Sequence, residues 1–280
     1  MEELVKRAAE IVKEADVLLL TAGAGLGVDS GLPDFRGNEG FWKAYPAYGH
    51  LGIEFMDLAN PRRFLSDPEL AWGFYAHRQQ LYAKASPHEA YHTMLAIAKS
   101  KKEHFVYTSN VDGYFVRTGF APRNVFEVHG NIFWCQCQRS MQCGQLLFQH
   151  KEKIDIDPET MRADIDKLPV CPTCGIIARP NILMFGDAYF DDETYCVQES
   201  QYERFLLRAY NRMDNYKVAI IECGAGTSIP TIRRLGDHFT MSHPRATLVR
   251  INLHEPHVYP GHVGLAMSAA EAIAQIKELL

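Results

Sequence analysis

The apolar run Asp16-Val17-Leu18-Leu19-Leu20 passes straight into Thr21-Ala22-Gly23-Ala24-Gly25-Leu26-Gly27 and on through Val28 to Gly31. A strand this apolar has no polar face to offer solvent, so it belongs inside a sheet covered on both sides. Such sheets are parallel, and their strands are joined by long crossovers. Glycines at the strand end let the backbone turn sharply and bring bare N–H groups against a phosphate. The feature therefore points to an α/β fold with a nucleotide loop at the sheet's C-terminal edge. A purely structural tight turn is the alternative.

The rest of the chain agrees with that architecture. Strand-like runs recur at 104–108, 125–128, 181–185, 218–222 and 247–253, with helical patterns between several of them. Leu4, Ala8, Ile11, Val12 and Ala15 share one face of an opening helix, and a helical pattern closes the chain at 268–280. The expected fold is α/β, a Rossmann-like parallel sheet with a smaller inserted lobe. Residues 1–40, 99–132 and 180–280 form the sheet domain in this reading. Segment 41–98, rich in aromatics and helix formers, is a helical insertion. Segment 133–179 holds five of the seven cysteines and an acidic middle, and is a zinc-binding insertion that completes the small lobe.

A second loop, Gly224-Ala225-Gly226-Thr227-Ser228, follows the run that ends at Glu222. Two glycine loops after two buried strands line one crevice and strengthen the case for a nucleotide. Hydride transfer is disfavoured, because the G-x-G-x-x-G fingerprint is unmatched and Pro33 and Gly37 interrupt any helix after the first loop.

Composition removes other classes. With 47% hydrophobic residues in a 280-residue chain, a disordered protein is excluded. The net charge is 29 − 34 = −5 with no basic tail, which argues against a nucleic-acid partner. No apolar run approaches the roughly 20 residues of a membrane helix, and Met1–Arg7 lacks a signal-peptide pattern. The expectation is a soluble, cytoplasmic protein with no membrane partner.

Seven cysteines form an odd set, for which metal ligation or buried thiols are better readings than disulfides. Cys171-Pro-Thr-Cys174 is a C-x-x-C knuckle whose thiolates can share one zinc ion, with partners among Cys135, Cys137 and Cys143. No combination leaves an open position beside a general base, so the metal would be structural. Scattered reduced thiols are the alternative. Cys196 and Cys223 read as buried thiols.

Taken in order, these segments resemble the sirtuin (Sir2) family. Gly23-Ala24-Gly25 followed by Ser30-Gly-Leu-Pro-Asp34-Phe35-Arg36 resembles its nucleotide loop. Thr108-Ser109-Asn110-Val111-Asp112-Gly113 looks like its T-Q-N-I-D segment, and Val128-His129-Gly130 like its catalytic histidine motif. Leu183-Met-Phe185-Gly186-Asp187 is similar to its substrate-side F-G-E segment, while Gly226-Thr227-Ser228 and Ile251-Asn252 resemble later nucleotide motifs. The match runs collinearly from about residue 16 to 255. It departs at Gly27 for a serine, Ser109 for a glutamine, Asp187 for a glutamate and Leu253 for a proline, as in a divergent bacterial-type branch.

The resemblance implies an NAD-dependent protein-lysine deacylase that releases nicotinamide and O-acyl-ADP-ribose from an acyl-lysine protein. It implies His129 as general base, with Asn110 and Asp112 holding the carboxamide and ribose side. Gly23, Ala24, Gly25, Asp34, Phe35, Arg36, Ser109, Gly224, Gly226, Thr227, Ser228 and Asn252 complete the NAD contacts, and Phe185 and Gly186 face the acyl-lysine. In the family pattern the first zinc ligand lies eight residues after the histidine, which reaches Cys137. Ser140 stands where the second is usual, so Cys143 substitutes, giving Cys137, Cys143, Cys171 and Cys174. Tyr75 and Arg78, three apart on one helical face, resemble the Y-x-x-R pair by which some sirtuins accept succinyl, malonyl or glutaryl lysine. A guanidinium grips a carboxylate bidentately. The plain alternative makes Tyr75 core and Arg78 half of a salt bridge. Two other outcomes remain on the same fold: ADP-ribosylation of a protein or NAD hydrolysis, and non-catalytic NAD sensing.

Overall fold

The computed structural model describes residues 1–33, 37–50, 52–210 and 216–280. The chain opens with α1 (Glu2–Glu14) and β1 (Val17–Ala22). A helical stretch follows: α2 (Gly37–Ala44), α3 (Pro46–His50), α4 (Phe55–Leu58), α5 (Arg63–Ser66), α6 (Pro68–Lys84) and α7 (Glu89–Lys99). Then come β2 (Glu103–Thr108), α8 (Tyr114–Thr118), β3 (Val125–Glu127), β4 (Gly130–Gln136), α9 (Ser140–Cys143) and β5 (Arg179–Ile182). The last part contains α10 (Glu193–Tyr210), β6 (Val218–Cys223), α11 (Thr231–Ser242), β7 (Ala246–Ile251), β8 (Val263–Leu265) and α12 (Ala269–Glu278).

Six strands form one parallel sheet in the order β3-β2-β1-β6-β7-β8. Every residue of β1 and β6 is buried, as their continuous apolar runs require. Leu18, Leu20 and Ala22 enter the core on one face, while Val17 and Leu19 pack on the other with Phe105, Tyr202, Phe205 and Phe239. The chain runs outward from β1 through β2 to β3, then returns to β6 and runs the other way. Adjacent β1 and β6 therefore flank the switch point, where the crevice of an open parallel sheet lies.

The inserted segments pack on each other. Trp72 Nε1 in α6 donates to the Ala178 carbonyl at 2.8 Å, and Gln80 Nε2 donates to Ile154 O at 2.8 Å. A Cβ on Gly73 would meet Met161 O at 1.7 Å, so α6 and that loop touch only because residue 73 is glycine. Arg162 closes the contact by pairing with Asp67 and Glu69.

Four expectations need correction. The run at 181–185 is not a strand of the main sheet. Only its first residues lie in β5, which pairs antiparallel with β4 in a separate two-stranded sheet. Neither β4 nor β8 was expected. The buried face of α1 is Val5, Ala8, Ala9 and Val12, while Leu4 is exposed. Cys196 lies exposed on α10, although Cys223 is buried as expected.

Candidate functional site

Both glycine loops meet at the switch point, backbone against backbone. Gly23 N–H donates to Cys223 O at 3.0 Å, Gly25 N–H to Gly224 O at 3.0 Å, and Gly224 N–H to Ile251 O at 2.9 Å. Gly224 has φ +65°, and a Cβ there would lie 2.1 Å from Leu26 N. No other residue fits. Beside this junction opens a cleft of about 640 Å³, lined by Gly23, Ala24 and Gly25 from one loop and by Gly224, Gly226, Thr227 and Ser228 from the other.

The same cleft is lined by Ser109, Asn110, Asp112 and His129. Their turn is fixed by the ends of three strands. Thr108 Oγ1 donates to Ala22 O at 3.1 Å and accepts from Asn110 N–H at 3.0 Å. Ser109 N–H donates to Ala22 O, and Ile132 N–H at the start of β4 donates to Val111 O. Gly113, at φ +69°, turns the chain into α8, whose first N–H, on Tyr114, donates to Asp112 Oδ1 at 2.8 Å. His129 sits where β3 gives way to β4, and its carbonyl accepts from Leu183 N–H at 3.0 Å.

Electrostatics separates these groups. Burial pushes the His129 imidazole below its usual range, against the Ser109 carbonyl, which favours the ring proton. The ring is therefore neutral at physiological pH, the form that accepts a proton. Burial raises Asp112 to about 6, opposed by the Tyr114 N–H and by Arg117 and Arg78.

The folded state thus holds the Asp112 proton more tightly than the unfolded chain does. The stability this group contributes falls as pH rises from about 4 to about 6 and is flat above that. Asp112→Asn lacks this loss. It is expected to unfold at a higher temperature than the parent at pH 8, by on the order of 2 kcal/mol, and to match it at pH 4. Paired melting curves across pH check this, and a constant difference would contradict it.

Tyr75 and Arg78 both line the cleft as well, brought there by α6. Arg78 is buried among aromatic side chains of α6. Its Nε and Nη2 donate to the Tyr82 hydroxyl at 3.1 and 2.7 Å, and its guanidinium lies over the rings of Phe74, Tyr75 and Tyr82. Phe185 also lines the cleft, anchored by its N–H to Ala59 O and by edge contact with Phe55.

Two expected residues do not line it. Asn252 is buried behind the loop, donating to Ala225 O at 2.8 Å and accepting from the N–H groups of His254 and Glu255. Gly186 only turns the chain, at φ +65°. The next residue, Asp187, is buried in a 2.8 Å ion pair with Arg179. Asp34, Phe35 and Arg36 lie outside the described residues.

Sequence reading missed several wall residues. Glu255 accepts from Thr227 N–H at 3.2 Å and Thr227 Oγ1 at 2.6 Å, beside the second loop. Its carboxylate three residues after Asn252 was the available signal. Tyr82, Phe55 and Met184 also face the cleft, but their sequence context marks only apolar packing.

The cysteine sulfurs converge as well. Sγ atoms of Cys137, Cys143, Cys171 and Cys174 all lie within 4.8 Å of one another. Cys137–Cys174 and Cys143–Cys171 are 3.6 and 3.7 Å apart. A disulfide needs about 2.05 Å. Sulfurs bound tetrahedrally at about 2.3 Å from zinc stand roughly 3.8 Å apart, so the four fit that ion. Burial pushes the Cys171 thiol up, but the backbone N–H groups of Cys174 and Thr173, together with the Cys174 and Cys137 thiols, bring it down to about 7. Cys135, the spare, is buried away from the set.

Comparison with known proteins agrees with this geometry. The Sir2 family model matches residues 23–207. The NAD-dependent protein deacylase of Leptospira interrogans is 30% identical over 187 residues, 66% of this chain and 67% of that protein. That of Thermococcus kodakarensis is 32% identical over 185 residues, 66% of this chain and 65% of its own length. The mitochondrial NAD-dependent protein deacylase sirtuin-5 of Danio rerio is 30% identical over 198 residues, 64% of this chain and 60% of that one. Aligned segments thus span about two-thirds of the curated relatives. Among solved structures, a Sir2 homologue in complex with NAD superimposes with a TM-score of 0.66 at 25% identity, covering 100% of this chain and 93% of the other. A mutant Sir2 homologue bound to ADP ribose gives 0.67 at 24% identity, with 98% and 95% covered. With its glycine loops, histidine wall and cysteine cluster in one fold, this chain belongs to the Sir2 family.

Proposed function

We propose that the cleft makes this chain an NAD-dependent protein-lysine deacylase. The observation that carries the reading is one cleft lined both by two glycine loops at the sheet's switch point and by His129, Asn110 and Asp112. NAD supplies a ribose carbon that is activated towards an acyl-lysine oxygen when nicotinamide leaves. Gly23, Gly25 and Gly224 would frame the phosphate site, since the Gly23 and Gly25 N–H groups join the two loops and the close approach of all three leaves no side chain between them, while Ala24, Gly226 and Ser228 line the cleft beside them. Asn110 and Asp112 orient the nicotinamide end. His129, kept neutral by burial, takes a ribose hydroxyl proton. Val111, Leu32 and Phe185 supply apolar wall that keeps water from the reacting carbon.

The acyl end suggests the preferred substrate. Tyr75 and Arg78 line the cleft together, and the Arg78 guanidinium donates to the Tyr82 hydroxyl at 2.7 Å. A succinyl or glutaryl carboxylate gains a charge-assisted contact there that acetyl cannot make, worth about 1.5–3 kcal/mol or roughly ten- to a hundred-fold in kcat/KM. Succinyl and glutaryl peptides are expected to outperform acetyl peptides, and Arg78→Met is expected to narrow or invert the ratio. Equal ratios in both proteins would make Arg78 structural.

The decisive experiment is mass spectrometry of products from NAD with a panel of acyl-lysine peptides. O-acyl-ADP-ribose supports the deacylase. ADP-ribosylated protein, free ADP-ribose or intact NAD would each replace it with another reading.

A further inference from the structure

At the sheet edge opposite the cleft, where the parallel strands begin, a second cavity opens. Its volume, about 670 Å³, is close to the cleft's 640 Å³. Six cations line it: Lys99, Lys101, Lys102, Arg123, Arg204 and Arg208. Against them stands one carboxylate, Glu103, and among the described residues no apolar side chain joins the lining. Lys99 ends α7, Glu103 starts β2, Arg123 lies in the turn just before β3, and Arg204 and Arg208 belong to α10. Two hydrogen bonds tie these segments together. Arg208 Nε donates to Glu103 Oε1 at 3.2 Å, and Asn124 Nδ2 donates to His104 Nε2 at 3.1 Å.

Half of the cations are already matched. Arg208 has Glu103, Lys102 pairs with Asp16 at 2.8 Å, and Lys101 Nζ donates to the carbonyls of Val12 and Lys13. Among the described residues, no carboxylate pairs with Lys99, Arg123 or Arg204. The carbonyls that end α7 account for Lys99 in its last turn. Nothing local accounts for Arg204. Arg208 lies four residues further along α10, a spacing at which like charges weaken a helix. Burial pushes the His104 imidazole below its usual range, and both Lys99 and Arg123 add to that push. A round cavity of this volume is roughly 11 Å across, about one Debye length at ~0.1 M salt, so its charges act on one another and on a common ligand. In a chain of net charge −5, this is a local concentration of positive charge that an anion would relieve.

We propose that this cavity is a binding site for a compact, multiply charged phosphate anion, a diphosphate or triphosphate group, separate from the cleft. Three unmatched cations call for several negative charges in one small group. Arginine forks pair with two phosphate oxygens at once, and lysine meets them as a point charge. With no apolar or aromatic lining, the cavity offers nothing to stack a nucleobase or bury an acyl chain. The site does not depend on the deacylase reading.

Titration calorimetry of the intact protein with sodium tripolyphosphate tests this. One ion per chain is expected, with an affinity that falls as salt rises. The combined variant Lys99→Gln, Arg123→Gln, Arg204→Gln changes only exposed side chains, so its fold is expected to persist. It is expected to bind tripolyphosphate at least about tenfold more weakly, with NAD affinity unchanged. Tripolyphosphate is expected to raise the melting temperature of the parent and not of the variant. Absent binding, or equal binding by parent and variant, overturns the site. Citrate bound as tightly as tripolyphosphate overturns the phosphate class. An ion that NAD displaces and the variant retains lies on the glycine loops, which also overturns the proposal.

Discussion

His129→Ala is expected to lower acyl-lysine turnover by about 10²–10⁴-fold, the usual cost of removing a general base. Fold and NAD binding are expected to persist. The ring is half-buried at the junction of β3 and β4, and what holds that junction is backbone: Val128 N–H to Thr108 O and Leu183 N–H to His129 O. Neither bond involves the imidazole. NAD would be held chiefly by the two glycine loops, which the substitution does not touch. Calorimetric titration with NAD and steady-state turnover, measured on the same preparation, separate the two effects. Near-parental turnover would remove His129 from the mechanism, and lost NAD binding would make it a binding residue.

The site was legible where its chemistry is local in the chain. A strand, a glycine loop and a strand-end histidine announce themselves within a few residues, and β1, β6 and His129 fall where such signals place them. Features that depend on distant partners were not legible. Strand β4 contains Gln136, fully buried because it donates to Tyr189 O and accepts from Asn181, residues more than forty positions away. No apolar alternation marks it. Strand β8 is three residues long, and its Gly264 lies so close to Pro256 that a Cβ would meet that carbonyl at 2.0 Å. The register of α1 slipped because Leu4 and Val5 both suit an apolar stripe; packing on α12 and β8 selects Val5. Cys196 shows the weakness of arguing from residue type alone. Cysteines are commonly buried, but α10 turns this one to solvent. In α6, the Tyr75–Arg78 spacing was visible, whereas Tyr82, whose hydroxyl accepts from the guanidinium, became apparent only with the helix in place.

One tightly bound zinc per chain is expected in freshly purified, reduced protein, and its removal is expected to have the largest effect on stability. The segment around the four cysteines has little core of its own: Met141 and Leu146 are exposed, and β4 and β5 form a sheet of two strands. A two-stranded sheet is marginal in water without further support. Four thiolates on one ion supply it, since structural zinc contributes on the order of 10 kcal/mol or more to folding. The loss would reach the cleft. Ile182, at the end of β5, and the Leu183-Met184-Phe185 run after it form part of the cleft wall, and Gly130 of β4 directly follows His129. A chelator strong enough to strip the metal is therefore expected to abolish peptide turnover and expose the 133–179 segment to protease, while the parallel sheet keeps its protection. Cys137→Ser and Cys174→Ser are each expected to lose the ion, and Cys135→Ser to retain it. Metal analysis of the three variants decides the ligand set: zinc kept by Cys137→Ser and lost by Cys135→Ser would move the first ligand two residues back, and no zinc in the parent would leave the four sulfurs without a common partner.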